Sequence, residues 1–233
     1  MPLTELVRLF SLLDLVAVSF FGLCYFGTGW VIEHPGRRRR SVTVMMVEVR
    51  HQWMRELAKR DQRIFDSQII ANLRTATSFF ASTTILAIGG VLAVAGNSET
   101  LRSFAGGLLT QSRPIEVHQI KLFLVALLLV AAFLRFVWAN RVFGYCSVVM
   151  AAVPPPGDLT AYRVARQAAD LNVRAAFNFN RGLRAVYFGL AAVAWMIGPL
   201  PLAVATLGTV WTLWQREFAS DPHRILTEKE ETE

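Results

Sequence analysis

Leu122–Val137 reads LFLVALLLVAAFLRFV, in which a single arginine interrupts sixteen positions of apolar side chains. With Ile120-Lys121 ahead of it and Asn140-Arg141 behind, the segment 120–140 has the ~20 residues that a helix needs to cross a ~30 Å hydrocarbon layer. Arg135 lies one to two turns from the basic end of this run. From there a long side chain can snorkel to the interface.

Three further runs stand around it. Residues 12–32 form one, with Tyr25 and Trp30 near its end and Asp14 near its start. It has no basic leader beyond Arg8 and no Ala-x-Ala cleavage signal, so it reads as a retained span and not a signal peptide. Residues 78–95 form a shorter run, rich in Ser82, Thr83, Thr84, Gly89 and Gly90 and closed by Gly96-Asn97. Its hydroxyls can bond their own i−4 carbonyls or a neighbouring helix, and Gly89-x-x-x-Ala93 permits close helix approach. Residues 185–218 form the longest run, interrupted by Gly198-Pro199-Leu200-Pro201. As one helix it would extend roughly 50 Å. One span kinked at 198–201 explains it, and so does a hairpin of two short spans; we expect the single kinked span. The fold class is therefore all-α, a polytopic membrane protein of about four transmembrane helices in one domain covering 1–233.

Composition agrees. The 233 residues are 54% hydrophobic, and the apolar ones collect in long runs, unlike those of a soluble domain. The net charge of +7 could suggest nucleic acid. The basic residues flank the apolar runs, however, so the expected partners are the lipid bilayer and its anionic headgroups, with no nucleic acid. Segment 31–74 carries ten basic residues, Arg37 to Arg40 among them, against five acidic ones, and 138–184 adds Arg141, Arg163, Arg166, Arg174, Arg181 and Arg184. Segment 96–119 has only Arg102 and Arg113. The positive-inside rule then predicts a multi-pass protein of the inner (plasma) membrane. Segments 31–74 and 138–184 face the cytoplasm, and the N- and C-termini lie outside. The acidic tail ending in Glu230-Glu231-Thr232-Glu233 adds little to that assignment. A hairpin at Pro199 would return the C-terminus to the cytoplasm.

The cytoplasmic segments, about 42–75 and 158–184, read as amphipathic helices. Between Met46 and Phe65 no proline or glycine intervenes, and Met46, Val49, Trp53, Leu57 and Ile64 share one narrow face. Arg55 and Lys59 lie opposite, and Glu56 can pair with Arg60 at i,i+4. After Pro154-Pro155-Pro156-Gly157, the stretch Leu159–Phe179 places Ala161, Val164, Ala165, Ala168, Leu171 and Ala175 on one face. Arg163, Arg166, Asp170, Arg174 and Arg181 occupy the other. An alanine face suits close helix contact better than lipid binding. We therefore expect the Met46/Trp53/Leu57 stripe to pack on it, with a lipid-surface position as the alternative.

Two regions carry a resemblance: Asp61 followed by Gln68-Ile69-Ile70-Ala71-Asn72-Leu73-Arg74-x-x-Thr77-x-Phe79-Phe80-Ala81-Ser82-Thr83, and Asn180-Arg181-Gly182-Leu183-Arg184-Ala185-x-Tyr187-Phe188 with Trp195-x-x-Gly198-Pro199. In these the chain resembles a family of uncharacterised bacterial and plant membrane proteins known as domain of unknown function 599. The resemblance covers nearly the whole chain and implies a multi-span fold, with no activity, substrate or cofactor.

The chain shows no P-loop, GxGxxG, GxSxG, HExxH or EF-hand pattern, so no catalytic, cofactor-binding or metal-ligating residues are assigned. Cys24 and Cys146 lack zinc spacing, and a disulfide between them is not expected. Two groups of candidates remain. Gln68, Asn72, Arg74, Asn178, Asn180, Arg181 and Arg184 enter the second and fourth runs from the cytoplasmic side. They form either a hydrogen-bonded junction, with Asp61 and Asp66 as nearby carboxylates, or a vestibule for an anion, lipid headgroup or protein. Asp14 and Arg135 are the intramembrane charges. Asp14 suits an interfacial residue or a proton or cation ligand, and its pairing with Arg135 is disfavoured. The expected function is non-enzymatic, an oligomeric transport or channel subunit, with a homo-oligomer as the expected assembly, or a membrane scaffold. The alternatives are a membrane enzyme acting on lipid or quinone and a cytosol-facing adaptor for a protein partner.

Overall fold

The computed structural model describes residues 10–36, 39–97, 99 and 114–228. Arg37, Arg38, Arg102, Arg113 and the tail from Lys229 lie outside the described residues. The described chain is helical and contains no strand. Its elements are α1 (Leu12–Glu33), α2 (Val42–Leu57), α3 (Ile64–Gly96), α4 (Ile115–Ala151), α5 (Ala161–Val193), a 3-10 turn (Ala194–Met196), α6 (Pro199–Phe218) and α7 (Asp221–Glu228). Among them α1, α3 and α4 are long and apolar enough to cross a membrane.

The run 185–218 is divided between α5, the 3-10 turn and α6, so no single helix covers it. The break falls at 194–198, one turn before the prolines. A proline removes the N–H that would bond the carbonyl four residues back, and its ring crowds that carbonyl. Pro199 and Pro201 therefore disrupt Trp195 and Ile197, while Pro199 itself starts α6 without penalty. The backbone tightens instead, with the N–H groups of Ile197 and Gly198 both bonding the Ala194 carbonyl at 3.1 and 3.4 Å.

The chain forms two compact units. One comprises 1–30, 84–132 and 183–215; the other comprises 31–83, 133–182 and 216–233. In the first, Phe188 of α5 meets Phe21 and Tyr25 of α1 edge to face, with centroids 5.4 and 5.3 Å apart. Gly189 lets α5 lie close to Leu128 and Leu129 of α4, since a Cβ there would sit 3.7–3.8 Å from those side chains. Ala95 and Leu122 are buried together beside Ile115 and Met196.

In the second unit the alanine face of α5 is buried. Ala161, Ala165, Ala168 and Ala169 share a core with Met54, Leu57, Ala58, Ile70, Cys146 and Met150, and Trp53 packs against it. Arg163, Arg166, Asp170 and Arg174 are exposed on the opposite face. The α2 stripe needs correction. Leu57 and Trp53 pack inward, but Val49 and Ile64 are exposed while Met45 and Met54 are buried. The reason is that α2 ends at Leu57 and does not run on to Phe65, so Ile64 belongs to a new helix with its own phase. Asp66, in the first turn of α3, closes the break by accepting Trp53 Nε1–H at 2.6 Å and Arg60 at 3.0 Å. Glu56 pairs with Lys59 at 2.6 Å and not with Arg60. Asp170 faces His51 at 3.4 Å.

The C-terminal residues belong to this second unit. Glu217 accepts from the Thr43 N–H at 3.0 Å and the Thr43 hydroxyl at 2.8 Å. His223 Nε2 lies 3.1 Å from the Arg40 carbonyl, and Thr227 reaches the Met45 sulfur. Residues 217–227 thus sit beside 40–45.

Candidate functional site

The polar residues read from the sequence separate in space. Gln68 donates to Asn72 at 3.3 Å on the exposed face of α3. Arg74 reaches Asn140 of α4 at 3.4 Å, and Asn140 in turn bonds Ser78. Asn178 turns back to the Arg174 carbonyl of its own helix at 2.9 Å. Asn180 donates to the Thr43 hydroxyl at 3.2 Å, and Arg181 forms a two-pronged ion pair with Glu33. That pair, with a hydrogen bond to Glu33 as its first cause, raises the Arg181 pKa above its ordinary value. Asp66 serves Trp53 and Arg60, and Asp61 is exposed. Within the second unit the two polar clusters therefore do not bond each other. What joins α3 to α5 there is aromatic: Phe80 and Phe179 meet edge to face with centroids 5.5 Å apart, and Phe136 lies against both. Arg184, which is buried, lies in the first unit with its guanidinium on the backbone of Gly29.

Of the two charges that the sequence reading put within apolar runs, Arg135 is half-buried and makes no hydrogen bond or ion pair with a described residue. Asp14 is fully buried. It caps α1 reciprocally with Ser11, accepting its hydroxyl at 2.7 Å and its N–H at 3.2 Å while the Ser11 oxygen accepts the Asp14 N–H at 3.1 Å. Its other oxygen takes Trp195 Nε1–H at 2.9 Å. Trp195 also belongs to Lys121. The buried Lys121 ammonium donates to the Trp195 carbonyl at 2.8 Å and stands 5.5 Å from the centroid of its ring. That carbonyl is one that Pro199 cannot serve. The helix break thus exposes an acceptor, and a buried cation from α4 takes it.

A cavity of about 280 Å³ opens in the second unit among α2, α5 and the end of α6. Thr43, Arg50, Asn180 and Glu217 supply its polar wall, and Met46, Val47, Val173, Ala176 and Phe177 much of its apolar wall. Arg50 donates to the Asn172 side-chain oxygen. Desolvation by burial pushes its guanidinium below the usual arginine value.

Arg50, Glu217, Lys121 and Trp195 were not singled out from the sequence as site residues. Pro199 offered a signal for Trp195, because it orphans the carbonyl four residues back. Nothing local marks the Thr43–Glu217 pair, whose members stand 174 residues apart.

An all-helical chain with three membrane-length apolar helices, carrying buried Asp14 and Lys121 at a helix break, has the character of a helical membrane protein. The chain belongs to the family described as "Protein of unknown function, DUF599", whose model matches residues 16–222. No curated protein and no solved structure matches it.

Proposed function

We propose that the chain is a multi-pass inner-membrane protein that works non-enzymatically, as a transport or channel subunit assembled from several copies. One observation carries this reading: the cluster of Asp14, Trp195 and Lys121 at the break between α5 and α6. Ionisable groups are costly in a membrane helix and concentrate on ion and substrate paths. Interrupted helices are tolerated within a membrane where protein or a water-filled cavity covers them, and transporters bind ions and substrates at such breaks. A few helices rarely enclose a pore alone, which supports an oligomer. The small and hydroxylated residues Thr75, Ser82, Gly89 and Ala93 on the exposed part of α3 suit that contact. The scaffold or adaptor reading draws on a different feature, the solvated arginine face of α5.

In this reading segments 31–74 and 138–184 face the cytoplasm, the basic residues sit on anionic headgroups, and the C-terminus joins them there. The first test is flux. Purified protein in anionic-lipid vesicles should dissipate an imposed proton or monovalent-ion gradient. Asp14→Asn and Lys121→Met should reduce the rate at least tenfold while each variant stays monodisperse. A wild-type protein that conducts nothing, with both variants merely less stable, would assign the cluster to packing alone.

A further inference from the structure

The Arg50 cavity lies in the second unit and shares no residue with the Asp14–Trp195–Lys121 cluster, so what it binds is a separate question from transport. A guanidinium carries five N–H donors and cannot shed its charge in a protein. Among the described residues Arg50 uses one donor, to the neutral amide oxygen of Asn172, and has no carboxylate partner. A half-buried cation whose remaining donors have no directly bonded carboxylate favours an anion that can take them.

The walls narrow the class. The planar fork of arginine matches a planar two-oxygen anion. Glu217, its two oxygens held by Thr43, places a fixed negative charge on the same lining and so disfavours multiply charged anions. Met46, Val47, Val173 and Phe177 offer an apolar bed, and Asn180 a further polar contact. A volume of about 280 Å³ lies at the small end of the ~300–1,000 Å³ common for ligand pockets. We infer that this cavity binds a small organic monocarboxylate, its carboxylate on Arg50 and its hydrocarbon body against the α2 and α5 side chains.

The test uses the full chain in nanodiscs of neutral lipid, with sodium hexanoate as the probe and hexanol and inorganic phosphate beside it. Titration calorimetry against empty nanodiscs should show saturable hexanoate binding to the protein and none for the other two. Arg50→Gln should weaken binding at least tenfold. Ala176→Phe, which fills the cavity and leaves Arg50 in place, should do the same and carries the test if Arg50→Gln does not fold. Nanodiscs doped with oleate separate two sources of the same chemistry: competition assigns the carboxylate to a membrane fatty acid, no competition to a water-soluble acid. Phosphate binding as tightly as hexanoate, no hexanoate binding at all, or hexanoate binding unchanged in the folded variants would overturn the assignment.

Discussion

At the scale of single residues the second unit depends on a few side chains with no spare room or no spare partner. A Cβ on Gly182 would stand 2.6 Å from the Phe136 ring, which is itself fully buried against Phe80 and Phe179. Gly182→Ala should therefore destabilise the purified protein by about 1–3 kcal/mol, as overpacking does. Adding Phe136→Leu should recover part of the loss in a thermal melt. Asp66 is a second case. One of its oxygens serves Trp53 and Arg60, while the other has no hydrogen-bond partner among the described residues. Trp53→Phe keeps the ring but removes a donor from this buried carboxylate. A loss of about 1–3 kcal/mol is expected, read as a lower midpoint in thermal unfolding. An unchanged midpoint would mean that the Trp53 bond contributes nothing.

At the scale of elements, what could be read from the sequence was periodic and what could not was long-range. The alanine face of α5 was legible because residues three and four apart share a side, and it is buried as that spacing requires. The interruption near Pro199 was legible because proline removes a specific hydrogen bond. The end of α2 at Leu57 was not. No glycine or proline marks it, and the break is held by Asp66 and by Arg63, which donates to the carbonyls of Val153 and Pro154 across the unit. The mutual separation of the Asn72/Arg74 and Asn180/Arg181 groups was equally hidden, since Arg74, Asn180 and Arg181 find their partners on other elements and Asn72 on its own helix. The start of α2 offers a test at this scale. Ser41 is fully buried, caps the helix by accepting from the Val44 N–H, and donates to the Ile32 carbonyl at 2.7 Å. Ser41→Ala should cost about 1 kcal/mol for the lost cap, more if the Ile32 carbonyl stays dry. Amide exchange should accelerate first in the opening turn of α2; uniform acceleration across the chain would place the effect elsewhere.

At the scale of the whole molecule the decisive contact is the one between Thr43 and Glu217. Charge alone predicts that 31–74 is cytoplasmic, but it says little about the C-terminus, because acidic residues weigh lightly in the positive-inside rule. The bonds from Thr43 to both carboxylate oxygens are what the proposed cytoplasmic C-terminus rests on. In the reading proposed above, with residue 217 beside residue 43, the chain from 185 to 218 leaves and returns, which the break at 194–198 permits. The α6 helix, 20 residues long, extends roughly 30 Å. A C-terminal fluorescent-protein fusion should therefore be bright, as it folds only in the cytoplasm, and a C-terminal alkaline phosphatase fusion should be inactive. A phosphatase fused near residue 105 should be active. Thr43→Val and Glu217→Gln should also couple, with the double variant differing from the sum of the singles by about 0.5–3 kcal/mol. An active C-terminal phosphatase together with zero coupling would show that the Thr43–Glu217 contact does not form in the cell, and the single kinked span would stand in its place.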